Sequence, residues 1–302
     1  MTGNKQYRIV KLVNGTHSVH SLSEAETFHP VVGPATEAEE LYVRQLKLVD
    51  RVRNHTGEFV VWDVGLGAAA NPLTFLHALL GIPCSIRIMS FDHTLEPLRF
   101  ALENVEHLPY LKGFEGPLKA LMDKGAITFS GQECAPSGVS GVPCADCCAS
   151  PRISWTVHVG DFPTLLRSSG ACEWPKPHAI MFDAFSPAKN AAMWTLPVFR
   201  RIYELLDPQR PCALPTYSRS TMLRVTLLLA GFHVGVGHGI GEKEETTVAA
   251  NTPALLQEPL GRAWLQRARR STSAEPMREP IYRQAPLSEE TWNALLQHPQ
   301  FA

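Results

Sequence analysis

From Glu58 onward the chain alternates two kinds of apolar pattern. Short unbroken runs have the length and the β-branched and aromatic content of buried strands: Phe59–Gly65 (FVVWDVG), Ile86–Asp92 (IRIMSFD), Trp155–Asp161 (WTVHVGD), His178–Phe185 (HAIMFDAF) and Cys212–Ser218 (CALPTYS). Between them, Asn71–Leu80, Leu95–Glu106, Ala191–Leu206 and Arg219–Ala230 place apolar residues at helical intervals. Alternation of this kind builds a largely parallel sheet with helices on both faces. Two last runs, Phe232–Gly237 and Thr246–Ala250, are joined by GHGIGEKEE, which has no room for a helix, so that pair is antiparallel. The expected sheet has seven strands, the last of them antiparallel.

Ahead of this region, Tyr7–His20 alternates weakly around Asn14-Gly15 and reads as a β-hairpin. Thr36–Val52 repeats apolar residues at helical spacing, with Thr36 and Glu39 in capping-box positions. The stretch 131–151 (GQECAPSGVSGVPCADCCASP) fits neither pattern and reads as a long insertion at the tip of a hairpin between Ala126–Ser130 and Ile153–Val159. The expected organisation is an N-terminal extension over 1–57, a central domain over 58–253 carrying the insertion, and a basic tail with a short helix over 254–302.

Composition changes this picture little. With 302 residues, 44% apolar and 19% charged, the chain has an ordinary globular make-up. It shows no membrane-length apolar run and no secretory leader, so the expectation is a cytoplasmic protein without a membrane partner. The net charge of -1 makes no global demand for nucleic acid. A local basic strip over 261–283 reads equally as a solvated surface or as a contact. Of seven cysteines, Cys134, Cys144, Cys147 and Cys148 cluster in the insertion. Cys144-x-x-Cys147 is half of a zinc site, but no second pair completes it, and the histidines have no ligand spacing, so no metal is expected.

Ligands of open parallel sheets bind at the carboxyl ends of the strands. Here four successive strands end on Asp63, Asp92, Gly160-Asp161 and Asp183. Any one such aspartate reads equally as a helix cap; four in a row point to a site. The turn Gly65-x-Gly67 allows close backbone approach, and Gly65–Ala70 also meets the loose dinucleotide pattern. Asp63, just before the turn, would repel a pyrophosphate. It suits S-adenosyl-L-methionine, which carries an ammonium and a sulfonium at one end. Asp92 could accept from the ribose diol and Asp161 from the adenine amino group.

DVGLGAAANPLTF, SFDHTLEPL, Gly160-Asp161 and above all DAFSPAKNAAMWT resemble the methyltransferase domain of the bacterial bifunctional MnmC enzymes, in the form without the flavin-dependent oxidase domain. The similarity runs from Gly33 through most of the chain, the cysteine insertion excepted. It implies a Rossmann-like class I methyltransferase fold, S-adenosyl-L-methionine held at Asp63, Gly65, Gly67, Asn71, Asp92, Gly160 and Asp161, and methylation of the 5-aminomethyl group of wobble 2-thiouridine in the anticodon region of tRNA. The resemblance further implies Asp183 as the group that accepts the amine proton or orients its lone pair. Pro187 and Asn190 shape the site wall, Phe185 or Trp194 either stacks on the uridine or packs beneath the loop, and Lys189 either meets a phosphate or is solvated. Several positions depart from the family pattern: Asp63 replaces Glu, Ala68-Ala69-Ala70 replaces Thr-Gly-x, Ala184 replaces Gly, Ala191 replaces Pro, and the loop after Gly241 is acidic. Those departures leave open a methyltransferase acting on another amine or a small molecule, and an inactive cofactor-binding module.

Overall fold

The computed structural model describes residues 6–131, 150–241 and 244–302. The cysteines at 134, 144, 147 and 148, and with them the zinc alternative, lie outside the described residues. So do Glu242 and Lys243. The chain forms two compact units, Met1–Gly160 and Asp161–Ala302.

The first unit opens with a three-stranded antiparallel sheet, β1 (Tyr7–Lys11), β2 (His17–Ser21) and β3 (Glu26–Thr27). The expected turn closes β1 onto β2: Gly15 sits at φ 86°, and the Asn14 side chain accepts from the Thr16 amide at 3.1 Å. The predicted helix over Thr36–Val52 is instead broken into α1 (Pro34–Ala38), a π-helical stretch (Glu39–Arg44) and α2 (Leu48–Arg53). Gly33 at φ 88° is the N-cap, and Pro34 starts the helix two residues before Thr36, so Thr36 caps nothing. The wider π turn buries the consecutive residues Leu41, Tyr42 and Val43, which an α-helix would spread around its surface. Lys47 then turns left-handed at φ 51° and ends the run.

The remaining elements of this unit are β4 (Glu58–Val64), α3 (Ala70–Ala78), β5 (Ser85–Asp92), α4 (Glu96–Leu102), α5 (Glu115–Lys124), β6 (Ala126–Ser130) and β7 (Arg152–Val159). Strand β5 runs parallel to β4 on one side and to β7 on the other, and β6 pairs antiparallel with β7. Six of the seven β4 residues are buried, as a strand covered on both faces requires. Trp62, Phe75, Phe91 and Trp155 form the centre of this core.

In the second unit come α6 (Phe162–Arg167), β8 (Ala179–Phe182), α7 (Leu196–Leu205), β9 (Ala213–Thr216), α8 (Thr221–Ala230), β10 (His233–Gly237), β11 (Thr246–Ala250), β12 (Glu258–Pro259), α9 (Arg262–Arg269) and α10 (Glu289–Leu296). Strands β8 and β9 are parallel; β11 lies between β9 and β10, antiparallel to both, and β12 adds antiparallel to β10. The antiparallel last pair is thus as expected. The count of seven strands falls short, because β6 and the two-residue β12 also join the ladders. The helix predicted over Ala191–Leu206 is a 3-10 turn, Ala191–Trp194, followed by α7. Thr195 is extended between them, and Pro197 in the first turn of α7 cannot continue a helix from its amino side. Among the described residues, no helix is long and apolar enough to cross a membrane.

Candidate active site

In the first unit the strand ends converge on a turn. Asp63 is 0% exposed and lies opposite Ser90 in the parallel register of β4 and β5. The Ser90 hydroxyl donates to Asp63 Oδ2 at 2.7 Å, and the Trp155 indole N–H donates to Ser90 Oγ at 2.9 Å. Three strands thus hold this carboxylate through a buried chain of hydrogen bonds. Beyond it, Gly65 at φ 96° and Gly67 at φ 52° reverse the backbone. The Gly65 amide donates to the Phe91 carbonyl at 2.9 Å, which ties the turn to the end of β5.

Asp92 then closes the turn from the β5 side. Its Oδ2 accepts the Gly67 amide at 2.8 Å and its Oδ1 accepts the Thr94 amide at 3.3 Å. His93 Nδ1 also lies 3.1 Å from Oδ1; each carboxylate oxygen carries two lone pairs, so the spare acceptor capacity for a ligand hydroxyl is on Oδ2. The Gly160 amide donates to the Asp92 carbonyl at 2.8 Å and joins the end of β7 to the same edge. Asn71 is buried in the first turn of α3. Asp63, Gly65, Gly67, Asn71, Asp92 and Gly160 therefore lie at one edge of the first unit. Position 69 explains the altered glycine-rich turn: Ala69 keeps a left-handed conformation, φ 61°, as N-cap of α3. Alanine tolerates it at about 1–2 kcal/mol, so the turn retains its shape without the glycine.

In the second unit Asp161 is the N-cap of α6, accepting from the Thr164 amide at 3.0 Å and its hydroxyl at 2.5 Å. The helix-cap role is satisfied through Oδ2 alone. Asp183 follows β8 directly and is partly exposed. Two hydrogen bonds pin the backbone after it. The Tyr217 hydroxyl donates to the Ala184 carbonyl at 3.1 Å, and the Trp194 indole N–H donates to the Phe185 carbonyl at 2.7 Å. A tight turn follows, in which the Lys189 and Asn190 amides both donate to the Ser186 carbonyl, at 2.9 and 2.8 Å.

Trp194 is 1% exposed, edge-on to Phe182 at 5.2 Å and to Tyr217 at 6.0 Å. Of its two readings the structure takes packing: a buried indole offers no face to a base, and its N–H holds the loop. Phe185 and Pro187 remain partly exposed on the same loop, and Lys189 is exposed. Sequence reasoning missed Ser90, Trp155 and Tyr217. Ser90 carried a signal, a polar residue inside an apolar strand run; Tyr217 carried none, because its hydroxyl acts on a turn 33 residues away. Among the described residues no cluster of His, Cys, Asp or Glu is arranged to hold a metal.

Residues 145–252 match the family model of an S-adenosyl-L-methionine-dependent methyltransferase. A curated relative, the tRNA 5-methylaminomethyl-2-thiouridine biosynthesis bifunctional protein MnmC of Burkholderia mallei (strain SAVP1), is 24% identical over 231 residues, which cover 76% of this chain and 33% of that protein. The protein of the same description from Ralstonia nicotianae is 34% identical over 99 residues, 33% of this chain and 14% of its own length. The chain thus spans about a third of the length of the first of these relatives. Among solved structures, MnmC2 from Aquifex aeolicus superposes with a TM-score of 0.65 at 23% identity, covering 98% of this chain and 85% of that one. That likeness establishes a Rossmann-like methyltransferase fold, and the family match makes S-adenosyl-L-methionine the cofactor. The donor set fits it: a buried carboxylate before a glycine turn, and a second carboxylate anchored to that turn.

Proposed function

We propose that this chain, an MnmC-like S-adenosyl-L-methionine-dependent methyltransferase, converts the 5-aminomethyl group of a wobble 2-thiouridine in tRNA to 5-methylaminomethyl-2-thiouridine. The observation that carries the reading is the segment after β8. The specific run Asp183–Trp194 is held in one shape by the Tyr217 and Trp194 hydrogen bonds, with Asp183 at its head. When bound, the cofactor supplies an activated methyl on a sulfonium, so the protein's task is to position the amine and set its protonation state. A primary amine is largely protonated near neutral pH, and its nitrogen lone pair is then unavailable. Asp183 accepts a hydrogen bond from that ammonium, takes up the departing proton or passes it to water, and orients the lone pair. Asp63, Asn71, Asp92, Gly160 and Asp161 hold the cofactor, and Phe185, Pro187, Lys189 and Asn190 line the uridine side.

A second reading, methylation of another amine by the same fold, draws on the acidic loop before β11. Part of that support is removed by Arg224, which is 3% exposed by side chain and pairs with Glu245 at 3.2 Å, so one of the acids is neutralised from within. The test is transfer of labelled methyl to tRNA bearing 5-aminomethyl-2-thiouridine. Incorporation by the wild type, reduced by about a hundredfold or more in Asp183→Asn, is the expected outcome. Cofactor binding without incorporation would turn the search to other amines, and an active Asp183→Asn would remove that residue from proton handling.

A further inference from the structure

Phe28 follows β3 and belongs to the small N-terminal sheet, yet it packs on the cofactor turn. A Cβ built on Gly67 would lie 3.3 Å from the Phe28 ring, so the missing side chain at Gly67 makes room for this aromatic. Gly67 is the residue whose amide binds Asp92, so the ring sits at the point where the turn and the second carboxylate meet. The ring is only partly buried, unlike the core aromatics Phe75 and Phe91. Its place is tightly fixed. The Phe28 amide donates to the Val19 carbonyl at 2.9 Å, and its carbonyl accepts from the Ser18 hydroxyl. The next residue, His29, is turned left-handed at φ 48° and lies 3.8 Å from Glu37 of α1.

We infer that Phe28 is a cofactor-binding residue, and that the N-terminal sheet which carries it is the outer wall of the S-adenosyl-L-methionine pocket. This rests on the cofactor and is independent of the nature of the methyl acceptor. A partly exposed ring seated on the glycine turn offers apolar surface to the nucleoside part of the ligand, already ordered and so at little further entropic cost.

The test is calorimetric binding of S-adenosyl-L-methionine and S-adenosylhomocysteine to the full chain with no tRNA present. It would compare wild type with Phe28→Ala and Phe28→Leu, each checked by circular dichroism and thermal melting. Phe28→Ala is expected to weaken both ligands by about tenfold, with Phe28→Leu between it and wild type, from the loss of apolar area against the ligand. Affinities within twofold of wild type for a folded Phe28→Ala overturn the inference. If that variant does not fold, Phe28→Leu decides by the same criterion. Because no acceptor enters the assay, failure of the wobble-uridine reading would show in methyl incorporation and leave these affinities unchanged.

Discussion

Asp92 meets the Gly67 amide through Oδ2 at 2.8 Å and the Thr94 amide through Oδ1 at 3.3 Å, with His93 Nδ1 3.1 Å from Oδ1, and still has a lone pair to offer on Oδ2. Removing it deprives the turn of an acceptor and, on the proposed cofactor site, the ligand of another. Asp92→Ala is therefore expected to lower stability by about 1–3 kcal/mol, since amides arranged around the carboxylate lose their partner. Calorimetry should show cofactor affinity reduced by roughly tenfold or more from the loss of its hydrogen bonds. Trp194 separates fold from chemistry in the opposite way. Trp194→Phe keeps most of the packing against Phe182 and Phe199 but loses the bond to the Phe185 carbonyl, at a cost of about 1 kcal/mol. Trp194→Ala opens the core and should cost about 3–5 kcal/mol in denaturant unfolding. At this scale the strand-end aspartates were legible because they interrupt apolar runs at fixed places. The partners that hold them were not: Ser90 and Trp155 reach Asp63 only through the parallel register of β4, β5 and β7.

Elements were legible where burial is complete on both faces. Strands β4 and β8 follow apolar runs, β5 is interrupted by Arg87 and Ser90 yet buried from Ile88 to Phe91, and their ends fall where the acids stand. The segment after Gly33 was misread because its burial comes from a π turn and a left-handed Lys47, neither of which leaves a periodicity. The Gly-rich turn into α3 lies between these cases. Its two glycines were read correctly, whereas the left-handed Ala69 shows only in the backbone. Alanine there costs about 1–2 kcal/mol, and glycine in the unfolded chain costs about 0.5–1 kcal/mol of added entropy. Ala69→Gly should thus raise stability by up to about 1 kcal/mol without weakening cofactor binding. A melting temperature lowered by that substitution would mean that the Ala69 methyl packs more favourably than its backbone is strained.

Over the whole chain, charge is nearly balanced at -1, and three arginines of the C-terminal region, Arg262, Arg269 and Arg278, make contacts within the fold. Arg262 donates to the Phe301 carbonyl at 3.1 Å, Arg269 pairs with Glu289 and lies over the Trp292 ring, and Arg278 approaches Glu290 at 3.6 Å. These contacts anchor a tail whose last residues grip β10. The Gln300 side chain accepts the Val234 amide at 2.7 Å and donates to the Val234 and Leu260 carbonyls at 2.7 and 2.9 Å. Beside it, His298 Nδ1 accepts the Gln300 amide at 3.2 Å, which places the ring proton on Nε2. Burial, and after it the neighbouring His233, pull the His298 pKa down to about 4. The folded state therefore holds His298 neutral where the unfolded chain would protonate it near 6.5. The unfolded state binds the extra proton, so this contribution is complete above about pH 6.5 and declines as pH falls toward 4. Between pH 7.5 and 5 the loss from this one group is about 2 kcal/mol. Denaturant unfolding across that range should show the wild type losing stability and His298→Leu losing less, in a window above the titration of ordinary carboxylates. Equal slopes for the two proteins would mean that His298 becomes protonated without releasing the tail, and that Gln300 holds β10 on its own.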